Sequence, residues 1–197
     1  MGVVKLSTAG ILDFQKYSSL RAGIPLPPTG SFDLLETQVL GSTAASVTFS
    51  SLDTLAAGYQ HLQIRATIRD AVSFQNSASF RLRFNGDSGN NYAWHRLFGN
   101  GSSVSTGAGT TQSGIFGDNA GNGFYSGHVF DILDPFNTSK NTTARFINGY
   151  EAGSAKSISI HSGVWMNTAA LSSIGIFTEG FGFVTGSRFS LYGIKAA

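Results

Sequence analysis

Hydrophobicity along this chain alternates with a period of two, and that period leaves room for little except antiparallel β-structure. In His61-Leu62-Gln63-Ile64-Arg65-Ala66-Thr67-Ile68-Arg69, the apolar side chains at 62, 64, 66 and 68 share one face and the polar ones share the other. Phe80, Leu82 and Phe84 alternate with Arg81 and Arg83 in the same way. Ile158 and Ile160 follow suit, then Ile174 with Ile176, and Phe189 with Leu191. Such alternation belongs to strands packed on one face and wet on the other. Turn-forming clusters separate the runs: Asn85 to Asn91, Gly99 to Gly101, Gly117 to Gly123, and Asp134 to Asn137. No segment offers a long amphipathic helix. About nine or ten strands at this spacing predict an all-β fold, an antiparallel, jelly-roll-like β-sandwich. The stretch from Gly99 to Gly123, rich in Gly, Ser and Thr, is expected to supply long loops at one end of the sandwich.

The composition changes near residue 30. Three of the four prolines, Pro25, Pro27 and Pro28, fall in Gly23-Ile24-Pro25-Leu26-Pro27-Pro28-Thr29-Gly30, which suits an extended connector. Before it, Ile11, Phe14, Tyr17 and Leu20 have the spacing of a short helical turn, with Arg21 following. Two turns cannot build a core and are marginal in isolation. Residues 1–30 therefore read as an anchoring arm, with these five side chains as its partner-binding set, and 31–197 as the sandwich.

Charged residues make up 12% of the chain, about half the usual share of roughly 25%. The polar surface must come from Ser, Thr, Asn and Gln. A lightly charged surface suits a protein covered in an assembly or facing the outside, because charge is what keeps free proteins apart. The net charge of +2, from 13 basic and 11 acidic residues, is scattered rather than clustered, so nucleic acid is not an expected partner. There is no cysteine, hence no disulfide and no thiolate metal site. Met1 to Ser7 lacks the basic start and apolar run of a signal peptide, and no apolar stretch approaches membrane-spanning length; neither export by that route nor a membrane partner is expected. The sequons at Asn100, Asn137 and Asn141 read as chance in a chain of this composition.

Catalysis finds little foothold. Gly86-Asp87-Ser88-Gly89 matches the core of a serine-protease nucleophile loop, but Asn90 and Asn91 stand where that loop has Gly and Pro. Its base would have to be His61, which sits inside a plain alternating strand. A Gly/Asp/Asn hairpin turn is the expected structure there. The loop lacks the second acid and bidentate Glu of a calcium site. His61, His95, His128 and His161 show no zinc-ligand spacing. Asp131 and Asp134 could stand as a glycosidase pair, but Asp134 is expected to open the turn before Pro135 and Asp131 to face solvent. Trp94 and His95 could rim a sugar site. No catalytic residue, metal or cofactor is expected, and the chain reads as a non-enzyme.

Four segments together resemble virion structural proteins of tailed bacteriophages, cyanophages among them. These are Phe32 to Thr37, His61 to Arg65, Arg83 to Tyr92, and the ending Ser187 to Lys195, with Lys5 to Ile11 similar to the anchoring start of some members. The resemblance spans about residues 31–195 and carries no site motif. It implies a virion location, on the exterior of the particle. The expected role is a capsid decoration (cement) protein that touches the major capsid protein or another virion protein through its arm. It also implies a homo-oligomer, with a trimer expected. The alternative is a tail fibre or receptor-binding subunit that touches host-surface glycan.

Overall fold

Among the described residues the chain forms twelve strands and one helical turn. The computed structural model describes residues 32–72, 77–121, 123–153 and 155–195. The chain divides into two units, Met1–Ser31 and Phe32–Ala197, and every described residue belongs to the second. The arm set Ile11, Phe14, Tyr17, Leu20 and Arg21 lies outside the described residues.

The first strands are β1 (Phe32–Val39), β2 (Ser46–Phe49), β3 (His61–Ile68) and β4 (Ser77–Phe84), with the turn α1 (Leu52–Leu55) after β2. Next come β5 (Tyr92–Gly99), β6 (Val104–Gln112), β7 (Ile115–Ala120) and β8 (Ser126–Leu133). The last four are β9 (Thr142–Ala152), β10 (Ala155–Trp165), β11 (Ile174–Thr178) and β12 (Arg188–Ile194). Eight strands form one sheet in the order β1-β12-β3-β8-β9-β10-β5-β6, and four form a second in the order β2-β11-β4-β7. All pairs within both sheets are antiparallel.

The strand order makes the topology plain. With β5, β6, β9 and β10 set aside, β1-β12-β3-β8 faces β2-β11-β4-β7. Most steps along the chain then cross from one sheet to the other, which is the double Greek key of a jelly roll. The four remaining strands are two inserted hairpins, β5–β6 between β4 and β7, and β9–β10 between β8 and β11. Both extend the larger sheet beyond β8.

Inward-facing side chains build the core. Leu62, Ile64 and Ile68 of β3, Phe80, Leu82 and Phe84 of β4, Ile174 and Ile176 of β11, and Phe189 and Leu191 of β12 are all fully buried. Each side chain of this size contributes about 1.5–3 kcal/mol by leaving water. Aromatic rings knit the layers: Phe80 lies 5.7 Å from Phe130, and Phe84 lies 5.9 Å from Trp165.

Two expectations need correction. The Gly99–Gly123 stretch holds strands β6 and β7 rather than long loops. Its β-character was hidden because β6 is a free edge strand with no packed face of its own, and because β7 buries polar Asn119 beside Ile115. The Gly86-Asp87-Ser88-Gly89 turn is not a hairpin, since β4 and β5 belong to different sheets. It is an arch between layers. Left-handed Asn85 and Gly86 (φ 52° and 67°) turn the chain, and Asn85 Oδ1 accepts from the backbone N–H of Ser172 at 2.7 Å. Asp87 braces the arch by accepting from Trp165 Nε1 at 2.7 Å, Asn91 Nδ2 at 2.9 Å and the Gly89 N–H at 2.8 Å.

Candidate binding face

Strand β10 turns the polar side of its alternation inward. Ser159 and His161 are buried, while Ile158 and Ile160 point away from the core and are 62% and 56% exposed. The same outer face carries Ile147 of β9, Leu97 of β5 and Val104 of β6, all exposed. The register aligns Val129, Ile147, Ile160 and Leu97 in one row across four strands. A contiguous apolar row on solvent is the kind of surface that marks an interaction site in soluble proteins.

The reason for the inversion lies underneath. The inner faces of β9, β10 and β5 pack on β7 around a polar seam rather than an oily one. Arg96 Nη1 donates to Asp118 Oδ1 at 2.6 Å, and Asn148 Nδ2 donates to the Asp118 carbonyl at 3.1 Å. His161 stacks on Phe146 with ring centroids 4.3 Å apart. Burial, and then the charge of Arg96, pushes the His161 pKa down to about 3. His128 is pushed to about 3 by burial, with a smaller contribution from His161. The Ser126 hydroxyl donates to the Ile68 carbonyl at 3.0 Å, so His128 Nε2, 2.7 Å from that oxygen, carries the proton, and its Nδ1 has no partner among the described residues. Burial raises the Asp118 carboxyl despite its bond to Arg96. With small and polar side chains turned inward, the isoleucines of β10 must face out.

Nearer β1 the outer face changes character. Gln63 Nε2 donates to Asp131 at 2.8 Å, Arg65 Nε donates to Gln63 at 2.8 Å, and Arg145 Nε reaches Asp131 at 3.4 Å. This chain of bonds ties β3, β8 and β9 together across the surface. Beside it lies an open trough of about 680 Å³. Arg65, Arg188 and Tyr192 line one side, Ile147 and Ile158 the other, with Gly127 and Gly149 between.

Trp94 and His95 stand on opposite faces of β5, as neighbours in a strand must. Trp94 turns inward and stacks on Phe116 at 4.9 Å, while His95 is exposed on the outer face among Leu97, Thr106 and Ile160. They do not form one rim. Asp131 does face outward, within the Gln63 and Arg145 network, and Asp134 sits at its turn with Lys140 and His61. His61 Nδ1 is occupied there, accepting the Asp134 N–H at 3.0 Å. Asp87, held below the usual carboxylate range first by the Trp165 indole, is engaged in bracing its arch. Among the described residues no group of three or more metal-ligating side chains comes together, and no helix is long and apolar enough to cross a membrane.

The residues that matter most on this face, Ile147, Ile160, Leu97, Arg65 and Arg188, were not singled out by motif. Period two shows that β10 is a strand, but Ser-Ile-Ser-Ile-His does not say which phase is inside. The one available signal was Trp165, which shares the phase of Ser159 and His161 and is the largest side chain of the strand. No family model matches the chain, and no curated protein matches it in sequence.

Proposed function

We propose that this chain is a non-enzymatic structural protein on the exterior of a tailed-phage particle, a capsid decoration subunit that assembles as a closed trimer. The observation that carries the reading is the outward apolar row Val129, Ile147, Ile160 and Leu97, set above a polar seam. A lone soluble domain gains nothing from turning isoleucine out and histidine in. A subunit that buries that face against its own copies does.

The second copy is favoured as occupant by the edge that adjoins the row. β6 reads Val-Ser-Thr-Gly-Ala-Gly-Thr-Thr-Gln, with no charge and no proline. Solitary proteins guard such edges with charges, prolines or bulges. The opposite edge, β1, carries Asp33 and Glu36, whereas β6, which like β1 has a register shift (between Gly109 and Gln112), carries no charge. An uncharged edge continuous with an apolar row suits a neighbour of the same sequence, while the arm, through Ile11, Phe14, Tyr17, Leu20 and Arg21, would fasten each copy to the major capsid protein.

Reconstruction of the particle with and without this protein tests the reading. Density repeating over the shell, and DNA release at lower temperature when the protein is missing, are the expected results. Density confined to the tail would overturn decoration in favour of a fibre or receptor-binding role.

A further inference from the structure

The half of the outer face over β1, β12, β3 and β8 carries chemistry that subunit packing does not need. Arg188 of β12 stands opposite Thr67 of β3, and Arg65 of β3 stands opposite Ser190 of β12, so the two guanidinium groups are diagonal neighbours over one trough. Among the described residues, no acidic one lines that trough. Arg188 is exposed and has no hydrogen-bond or ion-pair partner among the described residues. Arg65 is held in place, its guanidinium 5.6 Å from the ring of Phe32 and 5.1 Å from that of Tyr192, with Nε bound to Gln63. Its terminal amino groups have no acceptor among the described residues. Two like charges on adjacent strands repel, and no carboxylate among the described residues pairs with either of them.

We propose that this trough binds a carboxylate-bearing polysaccharide. A guanidinium recognises a carboxylate through two parallel hydrogen bonds, and two of them on adjacent strands suit an anionic chain rather than a single ion. Exposed Thr67 offers a hydroxyl to sugar hydroxyls, beside Thr37 and Ser190, whose hydroxyls bond each other at 2.9 Å, and Ile158, outside the row assigned to the subunit contact, offers an aliphatic wall to the C–H face of a ring. Gly127 leaves the floor open, since a Cβ built there meets nothing within 4 Å. The volume falls in the range of about 300–1,000 Å³ typical of ligand sites. An acidic peptide is the less suitable occupant. β12, β3, β8 and β9 are each paired on both sides, so no main-chain groups are free for the strand addition by which extended peptides are captured. The inference holds whether the subunit sits on shell or tail, and does not depend on trimer formation.

The test uses the full chain on immobilised polyuronates (polygalacturonate, alginate, hyaluronate) and polysialic acid, with methyl-esterified polygalacturonate as the uncharged control and polyglutamate as the peptide control. Retention on at least one acidic polysaccharide, lost at high salt and at least about tenfold weaker on the control polymers, is the expected result. Arg188→Gln should weaken it about tenfold, because an exposed side chain leaves the fold alone. Gly127→Val, which fills the floor, should abolish binding with an unchanged melting temperature. The proposal is overturned by no retention on any of the four acidic polymers, by equal binding of the ester or of polyglutamate, or by both variants binding as the wild type does.

Discussion

His128 and His161 are the residues through which this fold meets acid. Each has a folded pKa of about 3, driven down by burial, against about 6.5 in an unfolded chain. Between those values the unfolded state holds protons that the folded state refuses. Stability therefore falls as pH falls, by about 1.4 kcal/mol per pH unit for each histidine, and is level above about pH 7. Asp118 has the opposite sign, since burial raises its carboxyl and its protonation relieves a buried charge. It acts within the carboxylate range, below most of the histidine window. Urea unfolding from about pH 7 to about pH 5 should show a slope that steepens toward two protons near pH 5, reduced toward about one in His161→Asn or His128→Asn. A slope unchanged in both variants would place the proton uptake elsewhere.

The strand is the scale at which sequence was both most and least informative. Period two is a local property, so β3, β4, β11 and β12 were legible from Leu62-x-Ile64, Phe80-x-Leu82, Ile174-x-Ile176 and Phe189-x-Leu191. Phase is set by what lies across the sheet, and in β10 it is set by β7, whose Asp118 and Phe116 want polar and flat partners above them. The phase yields a paired expectation. In the dissociated monomer, Ile160→Ser, outside the core of its own chain, should change stability by less than about 0.5 kcal/mol. Ser159→Ile, at a position 1% exposed, should cost about 1–3 kcal/mol by overpacking. Chemical denaturation of the two variants checks this, and the reverse ranking would mean that β10 faces the other way. Strand β6 was illegible for a different reason. An edge strand with neither face packed needs no apolar period, and its glycines serve β5 instead: Gly107 and Gly109 lie against the Trp94 and Arg96 side chains.

For the whole molecule, the class of fold follows from alternation and turn chemistry, but sheet membership does not. Nothing local tells the Asn85–Asn91 segment to arch between layers rather than fold back as a hairpin; that depends on Trp165 and Ser172, far along the chain, reaching Asp87 and Asn85. The two inserted hairpins widen one sheet of the jelly roll to eight strands, and the added strands supply the outward apolar row and the free edge. The candidate site was illegible because its members come from β12, β3, β8, β9, β10 and β5, which only the folded register brings side by side. The central claim is that this row is buried between copies of the chain. Sedimentation equilibrium of the full chain, wild type beside Ile147→Ser/Ile160→Ser, measures it directly. The account predicts a wild-type mass three times that of the 20.8 kDa chain, and a folded monomer for the variant. A monomeric wild type at every concentration, or a variant that assembles unchanged, would contradict it.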